Sequence, residues 1–217
     1  MRFRDRRDAG RQLAAAVAGL RLESPIVLAL PRGGVPVAFE VAMRLGAELD
    51  VVVARKVGAP GHREFGIGAI AEGGAIIADQ DALRMLGIDE PRFAALAAAE
   101  RTELDRRVTA YRGSRALPEL DERDVVLVDD GLATGVTAHA AALGLRPRAR
   151  RLVLAVPVAA PDAVARLAAM TDDVVVVRQP HDLRSVGEWY HDFTQTSDEE
   201  VGDLLARASE AFRSGPS

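Results

Sequence analysis

Four aliphatic residues in a row, Val125–Val128, run without polar alternation into an acidic pair, Asp129 and Asp130, and then into a loop of small residues, GLATGVT. A strand with no polar face must be covered on both sides, which restricts it to the interior of a parallel sheet with helices on each face. Its acidic pair then falls at the carboxyl end, where open α/β sheets gather their ligands. From Gly131 to Gly135 small side chains let backbone N–H groups converge on one anion, and Thr134 and Thr137 add hydroxyls. The helix that follows adds the positive end of its dipole. Ionised Asp is acceptor-only, so Asp129 and Asp130 suit the neighbouring hydroxyls of a ribose rather than a phosphate.

The remaining chain repeats the alternation of strand and helix. Strands are expected at Ile26–Leu30, Asp50–Arg55, Leu152–Val156 and Val174–Val177, with helices near Val35–Leu45, Val136–Leu143 and Asp162–Met170. Glu90 and Pro91 open a long helix in which Phe93, Leu96, Ala97, Leu104, Val108 and Tyr111 share a face. Val57–Gly74 is Gly-rich and reads as less regular, followed by a short extended piece, AIIA. The fold class implied is α/β, a parallel twisted sheet with helices on both faces. Ser197 with Glu200 is a capping-box start for a last helix.

A second loop leaves the first strand as Pro31, Arg32, Gly33 and Gly34. Two glycines allow close approach of amides to a ligand, and Arg32 supplies a fixed positive fork. Arg55 and Lys56 stand at a later strand end. Lys56 is the one lysine in a chain whose Lys and Arg number 28. It either supplies a compact ammonium to a polyanion or is a chance survival on the surface.

Composition excludes several classes. With 28 basic against 32 acidic residues and a net charge of −4, the chain has no general field for nucleic acid. It contains no cysteine, which rules out disulfides, thiolate nucleophiles and cysteine zinc sites. His139, His181 and His191 lack metal-ligand spacing, and no GxSxG elbow accompanies a serine. GIGAIA, at Gly66–Ala71, formally matches a dinucleotide fingerprint but is followed by EGG and not by a helix. The start, MRFRDRRDAGRQLAAAVAGL, reads as an amphipathic helix rather than a signal peptide, and no apolar run approaches the ~20 residues of a membrane span. A cytoplasmic enzyme with no membrane partner is expected.

VLVDDGLATG, ALPRGGVPVA, RKVGAPG, VPVAAP and WYHDFTQTSDEEV together resemble the type I phosphoribosyltransferases, in particular a branch of stand-alone bacterial phosphoribosyltransferase-domain proteins. The resemblance implies a single domain over 1–217, with a core at about 24–180 and a small hood contributed by about 1–22 and 181–212. It implies transfer of the 5-phosphoribosyl group from phosphoribosyl pyrophosphate (PRPP) to a nitrogen acceptor, a nucleobase or similar heterocycle, with release of pyrophosphate. In that reading Gly131, Leu132, Ala133, Thr134, Gly135 and Thr137 hold the 5′-phosphate, and Asp129 and Asp130 hold the ribose. Arg32, Gly33 and Gly34 hold the pyrophosphate, with Arg32, Arg55 and Lys56 as charged catalytic groups. His62, Arg63 and Glu64 ride on a mobile loop, and Mg²⁺ binds mainly through PRPP. Trp189, Tyr190 and Phe193 either stack on the acceptor or fill the core of the hood. Purine-salvage enzymes usually carry an acid at the position of Ala133, so this chain departs from them there. A homodimer is expected from the family. The alternative is a non-catalytic module that binds PRPP or a nucleotide for regulation.

Overall fold

A computed structural model of the chain describes residues 1–214, the side chains of Arg63 and Glu64 excepted. Its main sheet contains β1 (Ile26–Ala29), β2 (Glu48–Val51), β6 (Asp124–Val128), β7 (Arg151–Val158) and β8 (Asp173–Arg178), numbered in chain order. The strands lie in the order β2-β1-β6-β7-β8, and every neighbouring pair is parallel. Ala29 pairs with Val51 on one side and Val128 on the other, so three strands end at one level.

The absence of polar alternation has the expected cause. Val27, Ala29, Val126, Val128, Val153 and Ala155 face a layer made by α1 (Arg6–Val17), α2 (Gly34–Leu45) and α7 (Asp198–Arg213). Ile26, Leu28, Val125, Leu127, Leu152 and Leu154 face α5 (Val136–Leu145) and α6 (Pro161–Ala168). All of these strand side chains are fully buried, and each large one stabilises the fold by about 1.5–3 kcal/mol.

The Gly-rich stretch is more regular than its composition implies. β3 (Ala54–Ala59), β4 (His62–Ala71) and β5 (Ile76–Ala78) form a separate antiparallel sheet whose hairpin turns at Pro60–Gly61. Glycine is used there for close packing. A Cβ on Gly68 would lie 2.3 Å from the Ile77 carbonyl oxygen and 2.7 Å from the Phe93 ring. This sheet packs on α3 (Gln80–Leu86), which the sequence pattern does not separate, and on α4 (Glu90–Arg112).

Helix starts fall into two kinds. Asp5, Asp79, Asp89 and Ser197 cap α1, α3, α4 and α7, each side chain accepting a hydrogen bond from a backbone N–H of the first turn. α2, α5 and α6 have no side-chain cap. Residues 189–192 cross over to the N-terminal segment: Phe3 donates its N–H to the Trp189 carbonyl at 2.8 Å, and His191 donates to the Phe3 carbonyl at 2.8 Å.

Candidate active site

β1 and β6 are neighbours, and the strand order departs in opposite directions from them, which makes the gap beyond their carboxyl ends the switch point of the sheet. Both predicted loops leave from this point, and the structure packs one on the other. A Cβ on Gly34 would meet the Val128 carbonyl oxygen at 2.9 Å and Asp129 Cα at 3.0 Å. On Gly33 it would lie 2.0 Å from Asp130 Oδ2. The two glycines are therefore required by the acidic strand end itself. They open α2, whose first N–H groups are already taken: Gly34 donates to the Leu30 carbonyl at 3.1 Å and Val35 to the Arg32 carbonyl at 3.1 Å, with Pro36 next. Gly135 in the left-handed region (φ 70°) opens α5 with no side-chain cap, so it is the N-terminus of α5 that turns its N–H groups to this place.

The acidic pair is half-buried and tightly held. The Asp130 N–H donates to Asp129 Oδ1 at 2.8 Å, and the Tyr190 hydroxyl donates to the Asp130 carbonyl at 2.5 Å. Arg6 Nε lies 2.8 Å from Asp130 Oδ2. Burial, and then the charge of Asp130, push the Asp129 carboxyl well above the usual range. Burial raises Asp130 too, opposed by Arg6. Burial raises the Tyr190 phenol, with Asp130 adding to the effect.

The Gly131–Thr137 loop lines a small cavity of about 200 Å³ together with Asp129 and Val186. Gly131 makes room for Val186, whose Cγ1 would be 2.6 Å from an added Cβ. Ala133 is half-buried and Thr134 is exposed. Thr137 lies between this cavity and a second cleft of about 570 Å³, which Arg55, Lys56, Gly58, Glu100 and Arg107 also line. Lys56 is exposed, its stem lying over Gly66. Arg166 Nη1 donates to the Thr134 carbonyl at 2.8 Å and brings a cation to the loop.

Other candidates stand further out. Arg55 is bound to Glu100 through Nε at 2.9 Å and Nη2 at 2.5 Å, which ties β3 to α4. Arg32 Nη1 lies 3.9 Å from Asp198 at the start of α7. His62 is exposed at the hairpin, while the side chains of Arg63 and Glu64 lie outside those described. Of the aromatics, Tyr190 is 3% exposed and stacks between Phe3 and Phe193, whereas Phe193 is 37% exposed. Trp189 is half-buried.

Arg6 and Arg166 are site residues that sequence reasoning misses. Arg166 leaves no signal. Arg6 leaves one: it and Arg7 occupy the first turn of α1, where the helix dipole disfavours cations.

An open parallel sheet with an acidic pair and the N-terminus of α5 at its switch point defines an α/β protein of the kind that gathers ligands beyond the carboxyl ends of its strands. The phosphoribosyl transferase domain matches residues 6–177, and the chain belongs to that family. It is 46% identical over 211 residues to "Putative phosphoribosyl transferase Rv0571c" of Mycobacterium tuberculosis, covering 97% of this chain and 48% of that protein. The chain thus spans about half the length of the curated relatives it matches. It is also similar to the crystal structure of TT1426 from Thermus thermophilus, with 50% identity, a TM-score of 0.80, and coverage of 95% of this chain and 99% of that one. Among the described residues no helix is long and apolar enough to cross a membrane.

Proposed function

We propose that the chain is a cytoplasmic, Mg-dependent phosphoribosyltransferase that moves the 5-phosphoribosyl group from PRPP to a nitrogen heterocycle and releases pyrophosphate. The observation that carries this reading is the convergence of Asp129 and Asp130 with the N-terminus of α5 and with the Arg32–Gly34 loop, packed on the acidic pair, at one switch point. The start of α5 on one loop and the guanidinium of Arg32 on the other, flanking a hydroxyl acceptor, match a ligand phosphorylated at both ends of a sugar.

In this reading the α5 loop, Gly131–Thr137, takes the 5′-phosphate, and the acidic pair accepts hydrogen bonds from the ribose hydroxyls. Gly33, Gly34 and Arg32 take the pyrophosphate, with Lys56 across the cleft. The C1′–O bond breaks with its electron pair leaving on pyrophosphate, a C1′–N bond forms to the acceptor, and the acceptor's proton passes to solvent. Positive charge on the ribose is stabilised by Asp129 and Asp130, and negative charge on pyrophosphate by Arg32 and Lys56. Arg55 would first have to release Glu100 to join them. Mg²⁺, when bound, offsets pyrophosphate charge. The described residues gather no group of three or more metal-ligating side chains, so its oxygens would come mainly from phosphate and water.

PRPP calorimetry with and without Mg²⁺, beside a pyrophosphate-release assay over purines, pyrimidines and other nitrogen heterocycles, tests the proposal. Binding with release for one acceptor supports it. Binding without release for any acceptor favours the regulatory module, and no binding removes the assignment of Asp129–Thr137.

A further inference from the structure

Arg6 stands where a helix least favours a cation, and the structure shows what holds it there. Arg7 beside it points outward to Glu40 at 2.8 Å. Arg6 turns inward, with its side chain 11% exposed, and meets groups from two distant parts of the chain. Its Nε lies 2.8 Å from Asp130 Oδ2, and its Nη1 donates to the Thr194 carbonyl at 2.7 Å. Its guanidinium carbon sits 3.9 Å from the centroid of the Phe193 ring.

The acidic pair is thereby left with little freedom. Asp130 Oδ2 is enclosed between Arg6 and the backbone of Gly33, too close for even a methyl group. Tyr190 holds the Asp130 carbonyl from the same tail that carries Phe193 and Thr194. A ligand hydroxyl must then approach the other carboxylate oxygen, in an orientation that Arg6 sets.

We propose that Arg6 is the positioning residue of this site: its guanidinium fixes the Asp130 carboxylate and fastens it to the tail segment carrying Phe193 and Thr194. Hydroxyl recognition and tail placement are then one coupled arrangement. The first half of this inference rests on the phosphoribosyltransferase reading, and the second does not.

The test uses the full chain with PRPP and Mg²⁺ in a calorimeter, and the emission of Trp189, the chain's single tryptophan, which lies in the tail. Loss of a charge-assisted hydrogen bond should weaken PRPP binding by Arg6→Ala about tenfold or more. Arg6→Lys keeps the charge but not the fork, and should fall between Arg6→Ala and the wild type. Arg6→Ala combined with Asp130→Asn should bind no more weakly than Asp130→Asn alone. Both single variants should shift Trp189 emission in the same direction, without ligand. Should Arg6→Ala fail to fold, Arg6→Gln is measured against the same criteria. Wild-type affinity in the Arg6 variant, losses that multiply in the double variant, or Trp189 emission unmoved by Asp130→Asn would each overturn the inference. A wild type that binds no PRPP overturns the functional reading instead, and the Trp189 comparison still decides whether Arg6 couples the tail to Asp130.

Discussion

Replacing Gly33 by alanine adds one carbon atom at the junction between the two loops. That carbon would stand 2.0 Å from Asp130 Oδ2, 2.7 Å from Asp130 Cγ and 3.2 Å from Arg6 Nε. Ordinary contact needs roughly 3.5 Å, so the carboxylate must retreat by more than about 1 Å. It has no easy retreat, because its backbone carbonyl is held by Tyr190 and its N–H by Asp129. Overpacking costs about 1–3 kcal/mol, and the charge-assisted hydrogen bond to Arg6 is worth about 1.5–3 kcal/mol. Both partners keep some solvent contact, with side chains 11% and 15% exposed, so the lower part of each range applies and the total is about 3 kcal/mol. At about 2–4 °C per kcal/mol for a domain of this size, the melting temperature should fall by roughly 6–12 °C. Gly202→Ala is the matched control. It makes the same chemical change in α7 with nothing within 4 Å of the new carbon, and should stabilise by about 0.5–1 kcal/mol. Thermal melts of the three proteins, followed by circular dichroism, decide the matter. If Gly33→Ala melts with the wild type while Gly202→Ala rises, the two loops are not packed as described.

Four further outcomes are expected. Asp129 has its carboxyl raised well above 3.8, so the folded chain keeps a proton that the unfolded chain has released; stability falls as pH rises from 3.8 toward the folded value. Asp129→Asn should flatten that part of the curve of urea midpoint against pH, and parallel curves would contradict it. Tyr190→Phe keeps the ring and loses the hydrogen bond to the Asp130 carbonyl, which should cost about 1 kcal/mol in urea unfolding. Asp130→Asn should weaken PRPP binding or turnover strongly, and unchanged PRPP kinetics would remove it from the site. Lys56→Ala should slow pyrophosphate release with little change in melting temperature; a large drop in stability would make Lys56 structural.

Four strands of the main sheet, β1, β6, β7 and β8, were legible because each is built on an unbroken aliphatic run, whereas β2, ELDV, carries two acids, and the strand expected at Asp50–Arg55 straddles the end of β2 and the start of β3 in the other sheet. Both loops were legible for a related reason, since glycine after a buried strand leaves a trace in one dimension. The small antiparallel sheet was not. Its β4 strand carries Gly66 and Gly68, and the reason Gly68 must be glycine is the Phe93 ring and the Ile77 carbonyl, contacts that exist only after folding. α3 was missed although Asp79 caps it and Gly87 ends it in the left-handed region, because it is only 7 residues long. Arg6 lies 124 positions from Asp130, and only its poor fit to a helix start hinted that something elsewhere was holding it.

β1 and β6 touch along their full length, yet the chain travels from one to the other through β2, the antiparallel sheet, α3 and α4. The distance between Gly33 and Asp130 is set by the register of Leu28 on Leu127, and none of that excursion enters it. The excursion supplies Arg55, Lys56 and the hairpin, the parts that would face a leaving group. One end of the site is thus a fixed gauge and the other an interchangeable fitting. Because Ala69 and Ala71 of β4 pack against Ala140 of α5, only the outer end of the hairpin, at Pro60–Gly61, can change in length or charge without moving that helix, which makes this tip the place to re-engineer the chemistry of the cleft.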